Sequence, residues 1–304
     1  MEKIDLISVS GKPLCIRVWD TPHPRAVVQL VHGMAEHMAR YDRLAQVLNQ
    51  AGYAVVGHDH LGHGPIAAPG DRGWFGPKDG WNNLIEDAHT VTGYARQRFP
   101  GLKIALLGHS MGSFAVREYL LRYGEELAAC VISGTGWYPA ALCTAAKGLA
   151  ALCGVFGGWH KPAALVNSVG FGSSNNAFKP ARTPFDWLSR DEKEVDKYIA
   201  DPLCGFLFTA RGYYDMFDGL LALSKESRLS ALPKDLPVYF LSGVMDPVGQ
   251  QSAGVKTVVR QFREAGVTDV TLKLYEGGRH EMFNEINRDQ VTADLLEWLN
   301  EKIR

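Results

Sequence analysis

Cysteine is scarce in this 304-residue chain: there are five, an odd number, and no two stand at C-x-x-C spacing. Cys15, Cys130, Cys143, Cys153 and Cys204 therefore suggest neither a disulfide framework nor a zinc site, and they suit a reducing compartment. An excess of either charge is missing too. Lys and Arg number 32 against 33 Asp and Glu, a net charge of -1, with no block of like charge to attract phosphates or an anionic surface, so nucleic acid is not an expected partner. The opening Met1, Glu2, Lys3, Ile4, Asp5 has acids where a secretory signal would have a basic stretch and an apolar run, which reads as cytoplasmic. A long uninterrupted apolar run is also absent. Residues 140–158 come nearest, but Lys147 and several glycines interrupt them, so they read as no membrane span and imply no stable membrane insertion.

What is present alternates. Two short segments, 4–8 and 14–19, flank Ser10, Gly11, Lys12 and Pro13 and read as a β-hairpin. Residues 26–31, 53–57, 104–107, 130–133, 238–241 and 270–274 are apolar, β-branched runs of the kind buried on both faces. Helical stretches lie between them, such as 43–50, and 284–303 closes the chain. Strands alternating with helices imply an α/β protein with a mostly parallel sheet covered on both sides. The rhythm fails over 137–218, which reads as a helical insertion; 1–136 and 219–304 then form one core domain.

Gly108, His109, Ser110, Met111 and Gly112 make a G-x-S-x-G directly after a strand signal, and 114–123 reads as the following helix. A sharp strand-to-helix turn exposes a serine as nucleophile and sets it at a helix N-terminus, which favours developing negative charge. Such a serine needs a base, and in this arrangement acid and histidine follow it in that order. Nine of the ten histidines precede residue 161, leaving His280 after the last strand signal as the expected base. Asp246, after the 238–241 run and before Pro247, is the expected orienting acid. Asp215 and Asp218 lie at the insertion's exit, and Asp269 precedes a strand. The oxyanion should meet the backbone N–H groups of Met111 and of Met34, the latter just after Gly33.

From His32 to Tyr41 the chain reads HGMAEHMARY, which resembles the HGxxEHxxRY signature of the monoacylglycerol lipase and lysophospholipase group (serine aminopeptidase S33-like) of α/β-hydrolases. Asp59 to Gly64 is similar to the family's DxxGHG, Gly108 to Gly112 to its GHSMG, and Asp246 with Pro247 to its acid turn. His280, Glu281, Asn284 and Glu285 match its HExxNE. The resemblance spans the chain outside the insertion. It implies an eight-stranded α/β-hydrolase sheet and a helical cap that carries the acyl-chain pocket. Ala35 departs from the pattern, where glycine is frequent, as do Pro65, Ile66 and Ala67, where a polar continuation is usual.

The expected activity is hydrolysis of monoacylglycerol, lysophospholipid or related small acyl esters through an acyl-enzyme on Ser110, with no cofactor. Phe206, Phe208, Tyr213, Tyr214 and Phe217 are expected around an acyl or aromatic acid pocket. Three rivals remain. His32, His37, His58, His60 and His63 with Glu36 and Asp59 would suit a metal, but they show no H-E-x-x-H spacing and read instead as braces for loops. Asp186, Asp191, Glu192 or Glu194 would hold the free amine of a peptide in an aminopeptidase-like enzyme. A binding protein without catalysis would lack a triad member, and all three are here in order.

Overall fold

The computed structural model describes residues 1–303. Its strands are β1 (Glu2–Ile7), β2 (Pro13–Trp19), β3 (Ala26–Val31), β4 (Tyr53–His58), β5 (Ile104–His109), β6 (Ala129–Ser133), β7 (Val238–Gly243) and β8 (Val270–Tyr275). Its helices are α1 (Asp42–Gln50), α2 (Gly80–Arg98), α3 (Met111–Tyr123), α4 (Ala140–Gly157), α5 (Ala164–Phe171), α6 (Glu192–Ala200), α7 (Ala210–Leu223), α8 (Ala253–Glu264) and α9 (Arg288–Lys302).

All eight strands form one sheet, in the order β1-β2-β4-β3-β5-β6-β7-β8. The hairpin β1-β2 and the pair β2-β4 are antiparallel, and every other pair is parallel. The expected strands are thus all present. Strands β3 to β7 are buried at every position, as their unbroken apolar character requires of a sheet covered on both faces. The period of two then divides their side chains. Val27, Val31, Leu106, Ile132 and Phe240 face α2, α3 and α8, while Val28, Leu30, Leu107, Val131 and Leu241 face α1 and α9.

The chain turns from β3 to β4 on one side and to β5 on the other, so β3 and β5 flank a topological switch point. Clefts open outside the carboxyl ends of such strands. The register Val31 to Gly108 brings Gly33 and Ser110 to the same height above that edge. In the same way β7 and β8 end level at Gly243 and Tyr275, and the loops they feed carry Asp246 and His280.

Between β6 and β7 lie α4 to α7, where the sequence signalled an insertion. Helix α7 crosses the expected boundary at 218 without a break. Tyr213, Met216, Phe217 and Leu220 on it are buried in the same core as α2 and α3. Helix α4 lies along α7. It runs unbroken through Gly148 and Gly154 for 18 residues and is, by length and composition, apolar enough to cross a membrane, with 17% of it buried. The glycines expected to interrupt this stretch thus do not break the helix, because a glycine inside a helix costs only about 1 kcal/mol. Leu142, Leu152, Val155 and Phe156 of α4 and Leu165 and Val169 of α5 are exposed.

Two glycines on these helices test this packing. A Cβ on Gly219 would lie 2.2 Å from Trp81 Cε2, whereas one on Gly148 meets nothing within 4 Å. We expect Gly219→Ala to lower stability by roughly 1–3 kcal/mol through overpacking, and Gly148→Ala to raise it by up to about 1 kcal/mol. Urea midpoints decide the matter, and equal effects of the two substitutions would mean that α7 does not sit this tightly on α2.

Candidate active site

Strand β5 ends at His109 and α3 begins at Met111, so Ser110 carries the whole turn. It does so at φ 54 and ψ -122, a conformation costly for any residue with a Cβ. The turn is tied down: Ser110 N–H donates to Ser133 O on β6 at 2.9 Å, and Ser113 Oγ donates to Ser110 O at 2.6 Å. Glycines flank it because α3 begins against the sheet. A Cβ on Gly108 would lie 2.5 Å from Gly112 O, and one on Gly112 2.2 Å from Val31 O. Met111 is the first residue of α3, so its N–H is one of the unpaired donors of a helix N-terminus.

The loops after β7 and β8 are joined to each other. Val244 N–H donates to Tyr275 O and Met245 N–H to Gly278 O, both at 2.9 Å. Asp246 is wholly buried; its Oδ1 accepts the Val248 N–H and lies 2.9 Å from His280 Nδ1. Burial would lower the His280 pKa, but the charge and hydrogen bond of Asp246, helped by Glu281 and Glu36, raise it above the ordinary imidazole value. The alternative acids lie elsewhere: Asp215 pairs with Arg211 and Asp218 with Lys147.

A buried ion cluster joins the Gly33 loop to the His280 loop. Glu36 Oε1 accepts Gly33 N–H at 2.6 Å and Tyr41 O–H at 2.9 Å, and its Oε2 accepts Arg40. Arg40 in turn grips Glu281, the residue after His280, with two bonds of 2.7 Å. Burial alone would raise the Glu281 carboxyl; the guanidinium brings it down to about 2. Ala35, where glycine was expected, adopts φ 51, so its Cβ is carried at some steric cost.

The clustered histidines work on backbone. Nδ1 of His32 donates to Gly33 O while its Nε2 accepts His60 N–H; Nε2 of His60 donates to His32 O; Nδ1 of His63 donates to Leu61 O while its Nε2 accepts Ala35 N–H. Burial holds His32, His60 and His63 neutral, with His60 lowered to about 4 and His63 to about 3. Both nitrogens of His58 are buried without a partner. Among the described residues, one group has metal-ligating atoms within 4.8 Å of one another, namely His37, Asp201 and Cys204. There His37 Nε2 lies 2.8 Å from Asp201.

Ser110 and His280 line one cavity of about 630 Å³, together with Gly33, Met34 and Met111. Its far wall is apolar and comes from the insertion: Leu142, Ala146, Leu149, Val166, Val169 and Phe171 among others. Of the five aromatic residues expected there, Phe206 and Phe217 line it. Phe208 and Tyr213 pack behind, in the core, and Tyr214 meets Trp159 edge to face. Sequence reasoning missed Trp187, which lines the cavity from the insertion with its ring 5.1 Å from that of His280. It sits in an irregular stretch with no period to mark it.

A sheet of this order, with its serine on a strained strand-to-helix turn and a paired aspartate and histidine beyond β7 and β8, defines an α/β-hydrolase. The chain belongs to the family described as Serine aminopeptidase, S33, which matches residues 22–287. It is 33% identical over 296 residues to a monoacylglycerol lipase of Mycolicibacterium smegmatis, covering 96% of this chain and 94% of that one. It is 29% identical over 306 residues to the human monoglyceride lipase, with 97% and 88% covered. Among solved structures, a thermostable carboxyl esterase from Bacillus coagulans in complex with glycerol superposes with a TM-score of 0.92 at 27% identity, over 100% of this chain and 99% of that one.

Strain at residue 110 is measurable apart from its hydroxyl. Ser110→Gly and Ser110→Ala both remove the hydroxyl, but only glycine relaxes at this φ and ψ. We expect the glycine variant to be more stable than the alanine variant by about 1–2 kcal/mol, after allowing for the greater unfolded-state entropy of glycine. Urea denaturation of the two tests this, and an alanine variant of equal or greater stability would contradict it.

Proposed function

We propose that the protein is a serine ester hydrolase in which Ser110 attacks the ester carbonyl, His280 takes its proton and Asp246 holds His280 in the tautomer that leaves Nε2 free to accept. The observation that carries this reading is the buried Asp246–His280 hydrogen bond sharing a cavity with a serine at a helix N-terminus. Negative charge on the tetrahedral oxygen is stabilised by the Met34 and Met111 amides and by the α3 dipole. His280 then protonates the leaving alcohol, and water repeats the sequence to release the acid. No cofactor enters these steps.

The substrate we assign is a monoacylglycerol or a similar small acyl ester. The wall of Leu142, Ala146, Leu149, Val166 and Val169 supports an acyl chain, and the names of the relatives agree. An aminopeptidase-like role needs a free carboxylate to hold an amine. The carboxylates lining this cavity are Glu36 and Glu281, and Arg40 already engages both. Residues 137–218 act in this reading as a cap that selects the acyl chain, and the five free cysteines fit a cytoplasmic setting.

Ser110→Ala should lose on the order of 10³-fold or more in kcat, along with labelling by a fluorophosphonate probe. Turnover above about a tenth of the wild-type rate would sink the assignment. His280 works only when neutral, and its pKa is raised. The groups that face it are Asp246, Glu281, Glu36 and the neutral His109, so kcat/KM should climb with pH through a limb above the ordinary imidazole range. Asp246→Asn should move that limb down and cost up to about 10⁴-fold, while Asp215→Asn keeps most activity. Finally, Ala146→Trp should shift preference between short and long acyl esters by roughly 10-fold; an unchanged chain-length profile would put the acyl chain elsewhere.

A further inference from the structure

We propose that residues 186–191, although part of the insertion, are a fixed clamp on the loop that carries His280, and that Glu285 is the positioning residue that joins the two. The proposal rests on the reading of His280 as the base. Apart from a single 3-10 turn at Met282–Asn284, the chain from the end of β8 to α9 has no regular structure, so its position must come from neighbours. On one side it is joined to the Asp246 turn. On the other it meets 186–191 in a run of hydrogen bonds. Glu281 N–H donates to Leu188 O at 2.7 Å, and His280 N–H points to Trp187 O at 3.4 Å. Ser189 Oγ donates to Asn284 O, and the Arg279 guanidinium donates to the Asp186 and Ser189 carbonyls.

Glu285 stands at the centre. Its side chain is fully buried and accepts four hydrogen bonds, as many as a carboxylate holds. Oε1 takes the N–H groups of Arg190 and Arg279, at 3.1 and 3.0 Å; Oε2 takes Arg190 Nε and Ile286 N–H, at 2.9 and 3.0 Å. Two donors come from the insertion and two from the His280 loop, so one carboxylate fixes both. Arg288 with Asp191 closes the same seam from outside. Among the described residues no such hydrogen-bonded seam holds α4, which packs along α7 but exposes Leu142, Leu152, Val155 and Phe156 and has one ion pair, Lys147 with Asp218. The insertion is therefore held in two ways: α4 and α5 chiefly by apolar packing, and 186–191 by hydrogen bonds to the loop of the base, which keep Trp187 against it.

A glutamine at 285 would turn its amide hydrogens toward buried donors, leaving them unpaired, and the loop would shift to relieve this. Displacements near 1 Å cost on the order of 10²-fold in rate. We expect Glu285→Gln and Arg190→Met each to lower kcat by about 10- to 100-fold with KM within about 3-fold. The ascending limb of kcat/KM should also move to lower pH, because His280 loses part of its contact with Asp246. A merely structural weakening would not move that limb. Arg190 is partly exposed, so its variant remains informative if Glu285→Gln fails to fold. Hydrogen exchange on the unmodified protein is the independent arm: the amides of His280 and Glu281 should exchange as slowly as those of β7, and the amides of α5 much faster. Wild-type kcat and pH profile in Arg190→Met, or residues 186–191 and 280–281 opening together with α5, would overturn the clamp. His280→Ala is measured alongside. If it keeps turnover, the assignment of the base fails and the clamp with it; if it is inactive while both clamp variants keep wild-type kcat, only the clamp fails.

Discussion

The hydrogen bond between His280 Nδ1 and Asp246 Oδ1, 2.9 Å long and closed to solvent, makes a demand that much of the sheet edge meets. Its partners lie 34 residues apart on separate loops. A buried carboxylate without donors would cost several kcal/mol. Val248 N–H supplies one further donor, and the paired ends of β7 and β8 supply the geometry, with two backbone bonds joining the loops just before the aspartate. The charge that results holds the imidazole pKa above its usual value despite burial. A group poised in this way is suited to gain a proton during a reaction and to return it.

The rest of the edge is arranged so that no other charge competes. Arg40 sits between Glu36 and Glu281, and this cluster links the loop before the proposed oxyanion site to the loop of the proposed base. Histidines at 32, 60 and 63 are neutral and hold backbone. The cavity is thereby left with an apolar wall and a few polar atoms near Ser110. In the proposed reading such a space suits an uncharged ester carrying a hydrocarbon chain better than a charged peptide terminus.

In the proposed reading the insertion has two tasks that pull against each other. A cap must open, and open segments have few buried contacts. A base must stay still. The chain meets both by using different parts: exposed apolar α4 and α5 on one side, the hydrogen-bonded stretch at 186–191 on the other, and α7 embedded in the core between them. In that reading covering the site and steadying it are separate in space although continuous in sequence.

Local patterns carried far in this protein. Apolar runs gave β3 to β8, of which β3 to β7 are covered on both faces and so have to be apolar throughout, and the turn residues between two short segments gave the β1-β2 hairpin. The G-x-S-x-G after a strand gave the elbow, because only small residues let α3 begin so close to Val31. Chain order and the motifs around Asp246 and His280 named the pair that the structure joins. Other features had no such signal. Which aromatic residues line the cavity, where the insertion merges with the core through α7, and the contacts of Trp187 and Arg190 with the His280 loop all depend on segments about a hundred residues apart. Glu285 was visible as part of a motif, but not the four donors that meet it. A period or a turn is written in neighbouring residues, since backbone geometry is local. Burial, ion pairing and the pKa of His280 belong to the assembled edge, where distance in space rather than along the chain fixes the energy.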